Sequence, residues 1–237
     1  MVDCIHYKDN IYNIWEAPKK TKLYKNELLR YHQIISYLPK NIRKVLDLGC
    51  GTGYMSYLLA KNKYEVTSVD KSSERLSYFK ENINDKNIRI LNSDMFEYNE
   101  KDFDLVVCQE VIEHIPDYKR VIEKIYSLLK IDGFAIITTP YKENLSVKTK
   151  KCDVCGKYYH TSGHLHSFDK NILNNACIKE NFNIIKTLLI VNNRTIRFFA
   201  YFNVPVNKYT IIIDKLFNKL FPHKAAYLLV LIRKNSI

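Results

Sequence analysis

The chain has 237 residues, 46% of them hydrophobic, and Lys and Arg outnumber Asp and Glu by 37 to 25, a formal charge of +12. That composition suits one globular domain over 1–237 and excludes a solenoid, since no repeat of about 20–50 residues is visible. The longest clean apolar run, Ala225–Ile232, falls far short of the roughly 20 residues that span a bilayer, and Met1–His6 lack the apolar core of an export signal, so a cytoplasmic protein with no transmembrane segment is expected.

The spacing of Leu23, Leu28, Leu29, Ile34, Ile35 and Leu38 predicts an amphipathic helix over 23–38, ended by Pro39, within an N-terminal helical cap over 1–40. Val45–Leu48 reads as a short buried strand running into Gly49, Gly51 and Gly53, followed by a helix through Leu58 and Leu59. Then come strand 65–69, helix 72–83, strand 88–91, strand 103–108, helix 118–129, a turn at Lys130–Gly133 and strand 134–139, closed by Pro140. This alternation predicts a parallel sheet covered on both faces, with its ligand at the carboxyl ends of the strands. The rhythm breaks in a polar Cys/His insertion over 141–168, resumes as helix 169–180 and strand 182–191, and breaks again over 192–222, where 209–221 reads as an amphipathic helix. Strand 225–233 comes last.

Asp47-Leu48-Gly49-Cys50-Gly51-Thr52-Gly53 is the strongest signal. Glycines there allow a sharp turn and remove the side chains that would block a ligand. Asp70, 17 residues after Gly53 and followed by Lys71, ends the next strand, where a carboxylate can accept bonds from both ribose hydroxyls of a nucleoside. A nicotinamide-binding fold is the competing reading, but the Gly-Cys-Gly-Thr-Gly spacing preceded by an acid suits a cationic ligand better than a diphosphate.

Val45–Gly53, Val69-Asp70, Asn92–Met95, Asp104–His114 and Leu128–Thr139 resemble the five successive motifs of class I S-adenosylmethionine-dependent methyltransferases of the type 11, ubiquinone-pathway-like kind. The resemblance covers about residues 40–140. It implies a Rossmann-like α/β fold: a seven-stranded, mostly parallel sheet with helices on both faces and its last strand antiparallel. It also implies that Asp47, Gly49, Gly51 and Gly53 hold the methionine part of S-adenosylmethionine, that Asp70 holds the ribose, that Asp94 and Met95 contact the adenine, that Gln109 lies near the methyl donor, and that Cys50 and Lys71 belong to the same cofactor site.

Glu110, Glu113 and His114 fall at i, i+3 and i+4 and share a face if this segment makes a helical turn. Together they are candidates to activate an acceptor, by base catalysis or through a divalent cation (Mg2+ or Mn2+). Glu-Val-Ile-Glu-His-Ile is similar to segments of two metal-using groups, the ubiquinone-pathway O-methyltransferases and the enzymes that methylate the 3′-terminal 2′-hydroxyl of small RNAs. The later His164-Leu165-His166-Ser167-Phe168-Asp169 resembles the segment that supplies a further ligand in the RNA group, and makes His166 a fourth candidate on the acceptor side.

Cys152 and Cys155, with His160 and His164, have the residue types and compactness of a structural zinc site. A redox pair and two ordinary surface thiols are the alternatives. Cys4, Cys50, Cys108 and Cys177 show no ligand spacing and read as packed thiols. Residues 192–222 interleave Arg and Lys with Phe and Tyr, which suits packing over the acceptor pocket, a membrane interface or stacking on RNA bases. The excess of positive charge points the same three ways, although a Lys-, Asn- and Ile-rich chain also follows from base composition. The leading expectation is O-methylation of a small-molecule, glycan or lipid-linked acceptor. RNA 2′-O-methylation and a non-catalytic cofactor-binding scaffold are the alternatives.

Overall fold

The structure, a computed structural model, describes residues 12–235. The start of the N-terminal cap, Met1–His6 with their expected lack of an export signal, and Cys4 therefore lie outside the described residues. Helix α1 (Lys22–Ile35) precedes a run of β1 (Lys44–Leu48), α2 (Tyr54–Lys61), β2 (Glu65–Asp70), α3 (Ser73–Asn82), β3 (Ile88–Asn92), β4 (Phe103–Gln109), α4 (Tyr118–Leu128) and β5 (Leu129–Pro140). A short hairpin, β6 (Thr149–Lys151) and β7 (Tyr158–His160), interrupts the alternation. Then follow α5 (Lys170–Lys179), β8 (Phe182–Asn192), α6 (Asn193–Tyr201), α7 (Lys208–Leu220) and β9 (Ala225–Lys234).

The strands form one seven-stranded sheet in the order β3-β2-β1-β4-β5-β9-β8. The first five are parallel, and β9 runs antiparallel between β5 and β8. Strand order reverses between β1 and β4, where Asp47 lies opposite Val107, so a crevice opens at their carboxyl ends. Both strands are covered on two faces, which is why they read as continuous apolar runs. One face carries Leu46, Leu48 and Val106 against Val121, Ile122 and Ile125 of α4 and Leu173 and Cys177 of α5. The other carries Val45, Leu105 and Val107 against Leu29 of α1, Met55 and Leu59 of α2, and Ile196 and Phe199 of α6. The side chains of Ser72, Asp117 and Asp169 cap α3, α4 and α5 by accepting backbone N–H bonds.

The expected α/β architecture, with its last strand antiparallel, is the one observed. The expected turn at Lys130–Gly133 is not. β5 begins at Leu129, opposite Phe103, and absorbs those residues in a register shift, with Asp132 at φ +62°. Pairing with β4 outweighs the local turn preference of Asp-Gly. Helix α6 lies where sequence periodicity predicted only an interruption. Among the described residues, no helix is long and apolar enough to cross a membrane.

Candidate active site

A cavity of about 850 Å3 opens at the switch in strand order. Its first wall is the turn after β1. Gly49 and Cys50 donate to the Val69 carbonyl (2.8 and 3.1 Å), tying the turn to the end of β2. Gly49, Gly51 and Gly53 have φ of +80°, +54° and +82°, in the left-handed region that disfavours a Cβ. The N–H groups of Gly51 and Ser72 each donate to one oxygen of Asp70 at 2.8 Å. Both oxygens keep acceptor capacity on the cavity side. Lys71, Asp94, Met95 and Gln109 also line the cavity. Gln109 is buried and its Oε1 has no partner.

Two residues expected at this wall have other places. Gly53 does not line the cavity; a Cβ there would overlap the Phe79 ring, so its role is packing α2 against α3. Asp47 lies fully buried beneath the turn, accepting from Ser56 Oγ (2.5 Å), which in turn accepts from Ser68 Oγ. Burial pushes its carboxyl up to about 7. Cys50 does line the cavity, with a thiol that burial holds well above its ordinary range.

The opposite wall begins immediately after Gln109. Glu110 has φ +53°, which turns it off the strand. Its carboxylate accepts from Thr138 Oγ1 (3.1 Å) and pairs with Arg30 (3.3 Å). Arg30 also pairs with Glu27 (2.5 Å) and lies over the rings of Tyr31 and Tyr227. Sequence reading missed Arg30; its only signal was a charge beside the buried Leu29 and Ile34 on α1.

Glu113 and His114 follow in a short 3-10 turn, Ile112–His114. Thr139 Oγ1 donates to Glu113 Oε2 (3.2 Å), while Oε1 is buried without a partner. His114 and His164 meet edge to face at 4.8 Å between ring centres. One ligand atom each from Glu113, His114 and His164 lies within 4.8 Å of the others. His114 Nδ1 faces the Gly163 carbonyl (3.3 Å) and His164 Nδ1 faces the Glu143 carboxylate. Each acceptor fixes the proton on Nδ1 and makes Nε2 the basic nitrogen of its ring. Burial opposes ionisation of Glu143, but bonds from His164 and Lys148 outweigh it and hold its carboxyl at about 2.

His166 does not join this group. Its Nε2 bonds the carbonyls of Ile115 and Pro116, both at 3.0 Å, and its ring meets Tyr118. It anchors the loop below the 3-10 turn and does not line the cavity, whereas His164 does. Nor does the structure assemble Cys152, Cys155, His160 and His164 as four ligands. The cysteines lie at the β6–β7 turn and join neither group of three ligand-type side chains found among the described residues. His160 Nδ1 accepts the N–H of Ser162 (3.3 Å) and of His164 (3.1 Å). Its Nε2 has no hydrogen-bond partner and lies 3.9 Å from Glu143, in a second group, Glu143, His160 and His164, whose ligand atoms lie within 4.8 Å of one another. Burial lowers the His160 pKa and keeps the ring neutral.

The acids beneath the cavity set a pH dependence. Burial pushes Glu110 up to about 7 against the pull of Arg30; burial, then Glu110, also holds Glu113 well above the ordinary carboxyl range. Unfolded carboxyls titrate near 4, so the folded state holds more protons than the unfolded chain between about pH 4 and 7, and stability falls as pH rises through that window. Glu143 acts only below it. Glu113→Gln keeps an acceptor for Thr139 and removes the buried charge. It is expected to melt at the same temperature as the parent at pH 4.5 and several degrees higher at pH 8, read by differential scanning calorimetry. Equal melting at pH 8 would show that Glu113 ionises there without penalty.

Comparison with known proteins places this arrangement. Residues 40–189 match the family model described as a methyltransferase domain. A ubiquinone biosynthesis O-methyltransferase of Haemophilus ducreyi is 34% identical over 106 residues, 41% of this chain and 45% of that protein. The Coxiella burnetii protein of the same name is 32% identical over 101 residues, 41% and 43% of the respective chains. The matched segment thus spans less than half the length of these relatives. Solved S-adenosylmethionine-dependent methyltransferases from Mesorhizobium loti (TM-score 0.61, 16% identity, 94% of this chain and 100% of that one) and Archaeoglobus fulgidus (0.61, 18%, 90% and 95%) share the fold.

Proposed function

Because the chain belongs to the methyltransferase domain family, we propose that it transfers a methyl group from S-adenosylmethionine to a hydroxyl group on a small-molecule, glycan or lipid-linked acceptor. The observation that carries this reading is the pair His114 and His164 on the cavity wall, with Glu143 behind His164 and Glu113, which does not itself line the cavity, fully buried beside the two rings.

The first wall suits the cofactor. A Cβ on Gly51 would meet nothing within 4 Å, so the backbone edge is open to a ligand. The partnerless Gln109 Oε1 suits an ammonium donor and the Asp70 carboxylate suits a pair of hydroxyls. When bound, S-adenosylmethionine supplies an already activated sulfonium methyl, so a C–S bond breaks as the acceptor O–C bond forms. What the chain's own residues must do is align the hydroxyl and take its proton. The Nε2 atoms of His114 and His164 are the acceptors for that proton. Glu143 positions His164, and the Gly163 carbonyl positions His114. The same donor set of one carboxylate and two imidazoles fits a divalent cation; Glu113, His114 and His164 would hold it, and it would lower the pKa of the acceptor hydroxyl. A cavity of about 850 Å3 accommodates a cofactor and a compact acceptor group.

Methyl transfer from radiolabelled S-adenosylmethionine into fractionated cell extract tests the reading. Label is expected in lipid, glycan or small-molecule fractions. His164→Asn and Glu143→Gln are expected to lower kcat about 100-fold with the dissociation constant for S-adenosylhomocysteine unchanged. Nuclease-sensitive label would replace this reading with RNA 2′-O-methylation, and cofactor binding without transfer into any fraction would favour a scaffold. Full activity after exhaustive chelation would leave the imidazoles as bases and remove the cation.

A further inference from the structure

Helix α7 is inverted in polarity. Its buried residues are Thr210, Asp214 and Asn218, at i, i+4 and i+8. Asp214 is fully buried and accepts from Gln33 Nε2 (2.7 Å), the Asn192 N–H (2.8 Å), Asn218 Nδ2 (2.8 Å) and Thr195 Oγ1. The opposite face, Tyr209, Ile212, Ile213, Leu216 and Leu220, stands in solvent, with Ile212 63% and Leu220 60% exposed. Spacings of three and four residues make it one continuous stripe. The neighbouring helix α6 adds Phe198, Tyr201 and Phe202, all exposed, with ring centres 4.7 Å (Phe198–Phe202) and 4.9 Å (Tyr201–Phe202) apart. A soluble surface helix turns its apolar side inward; here a polar network fills that side and apolar residues face outward.

The charges beside the stripe are of one sign. Between residues 193 and 224 the sequence has six Lys and Arg residues and one acid, Asp214, which is buried. Lys208 and Lys219 are exposed on α7, as is Arg197 on α6, while Lys215 is drawn back over the Tyr37 ring. A second copy docked face to face would bring like charges together. Nucleic acid would meet the cations and the three rings of α6, but Ile212, Ile213, Leu216 and Leu220 offer no stacking face. An anionic bilayer satisfies both parts: headgroups meet the lysines and acyl chains meet the stripe.

We propose that the outward faces of α6 and α7 form a docking surface for anionic lipid bilayers. Asn193, the first residue of α6, lines the cavity, so docking brings the cavity rim within about 12 Å of the exposed rings along the helix axis. The docking surface stands apart from the proposed O-methylation; only delivery of a lipid-linked acceptor to the cavity rests on that reading.

Flotation of the full chain with vesicles of phosphatidylcholine, with and without 30 mol% phosphatidylglycerol (about one lipid in three), tests it. Binding is expected to the anionic vesicles, weakening as salt is raised. Ile212→Glu with Leu216→Glu is expected to reduce it at least 10-fold, and Lys208→Glu with Lys219→Glu at least 5-fold. Both pairs are expected to leave S-adenosylhomocysteine binding and the melting temperature unchanged. No binding to anionic vesicles, or equal binding by parent and variants, overturns the proposal. So does a dimer in sedimentation, or retention of a single-stranded oligonucleotide, that the same variants abolish while vesicles are ignored. Vesicle binding together with methylation of a water-soluble acceptor leaves the docking surface standing and removes only the lipid-linked acceptor.

Discussion

Asp214→Ala is expected to lower the melting temperature by roughly 10 °C, because Asp214 joins four elements through one buried carboxylate. Its two oxygens accept from Gln33 on α1, from the end of β8 through the Asn192 N–H, from Thr195 on α6 and from Asn218 on its own helix. Alanine leaves those donors buried without an acceptor, and breaking such a buried charged network costs about 3–5 kcal/mol. For a chain of this size each kcal/mol moves the midpoint by about 2–4 °C. The Asn192 bond also secures Val191, a β-branched residue at φ +59° that is costly to hold in the left-handed region. Asp214→Asn keeps the shape but points an amide N–H at donors, so it is expected to lose about half as much. A calorimetric shift below 3 °C for the alanine variant would show that water replaces the carboxylate, and that α7 is not held by this residue.

Two glycines two positions apart are expected to fail in different ways. Gly51→Ala places its Cβ in open space on the cavity side at φ +54°. The backbone cost is about 1–2 kcal/mol, and the new methyl occupies the edge that a ligand must approach. Affinity for S-adenosylhomocysteine is expected to fall at least 30-fold, with a melting shift of only a few degrees. Gly53→Ala drives its Cβ into the Phe79 ring at φ +82°. Overpacking adds about 1–3 kcal/mol to the backbone cost, so this variant is expected to melt roughly 10 °C lower while the protein that remains folded binds the cofactor nearly normally. Titration calorimetry and thermal melts on both variants separate the two roles. Unchanged affinity in Gly51→Ala would place the cofactor away from the turn.

The sequence by itself was enough for the α/β alternation, the strand cores, the positions of the helices, the turn that carries Gly49 and Gly51, and the acid Asp70 at the end of β2. Each of these is a short-range matter: buried parallel strands demand apolar runs, caps and turns demand particular residues within a few positions, and the acid at the end of β2 lies one strand–helix–strand unit beyond the glycines. The tertiary structure alone decided which side chains share the acceptor wall. Arg30 reaches Glu110, Glu143 orients His164, and His164 meets Glu113 and His114, across separations that no local periodicity reports. It also decided against expectations that residue type alone had favoured. Asp47 lies beneath the turn, where Ser56 donates to its carboxylate and Ser68 donates to Ser56; His166 is held by two carbonyls; and His160 and His164 gather with Glu143 and not with the cysteines. Local sequence sets the backbone path, but the direction of a polar side chain follows from which partners the packed elements bring within hydrogen-bond reach once water is excluded.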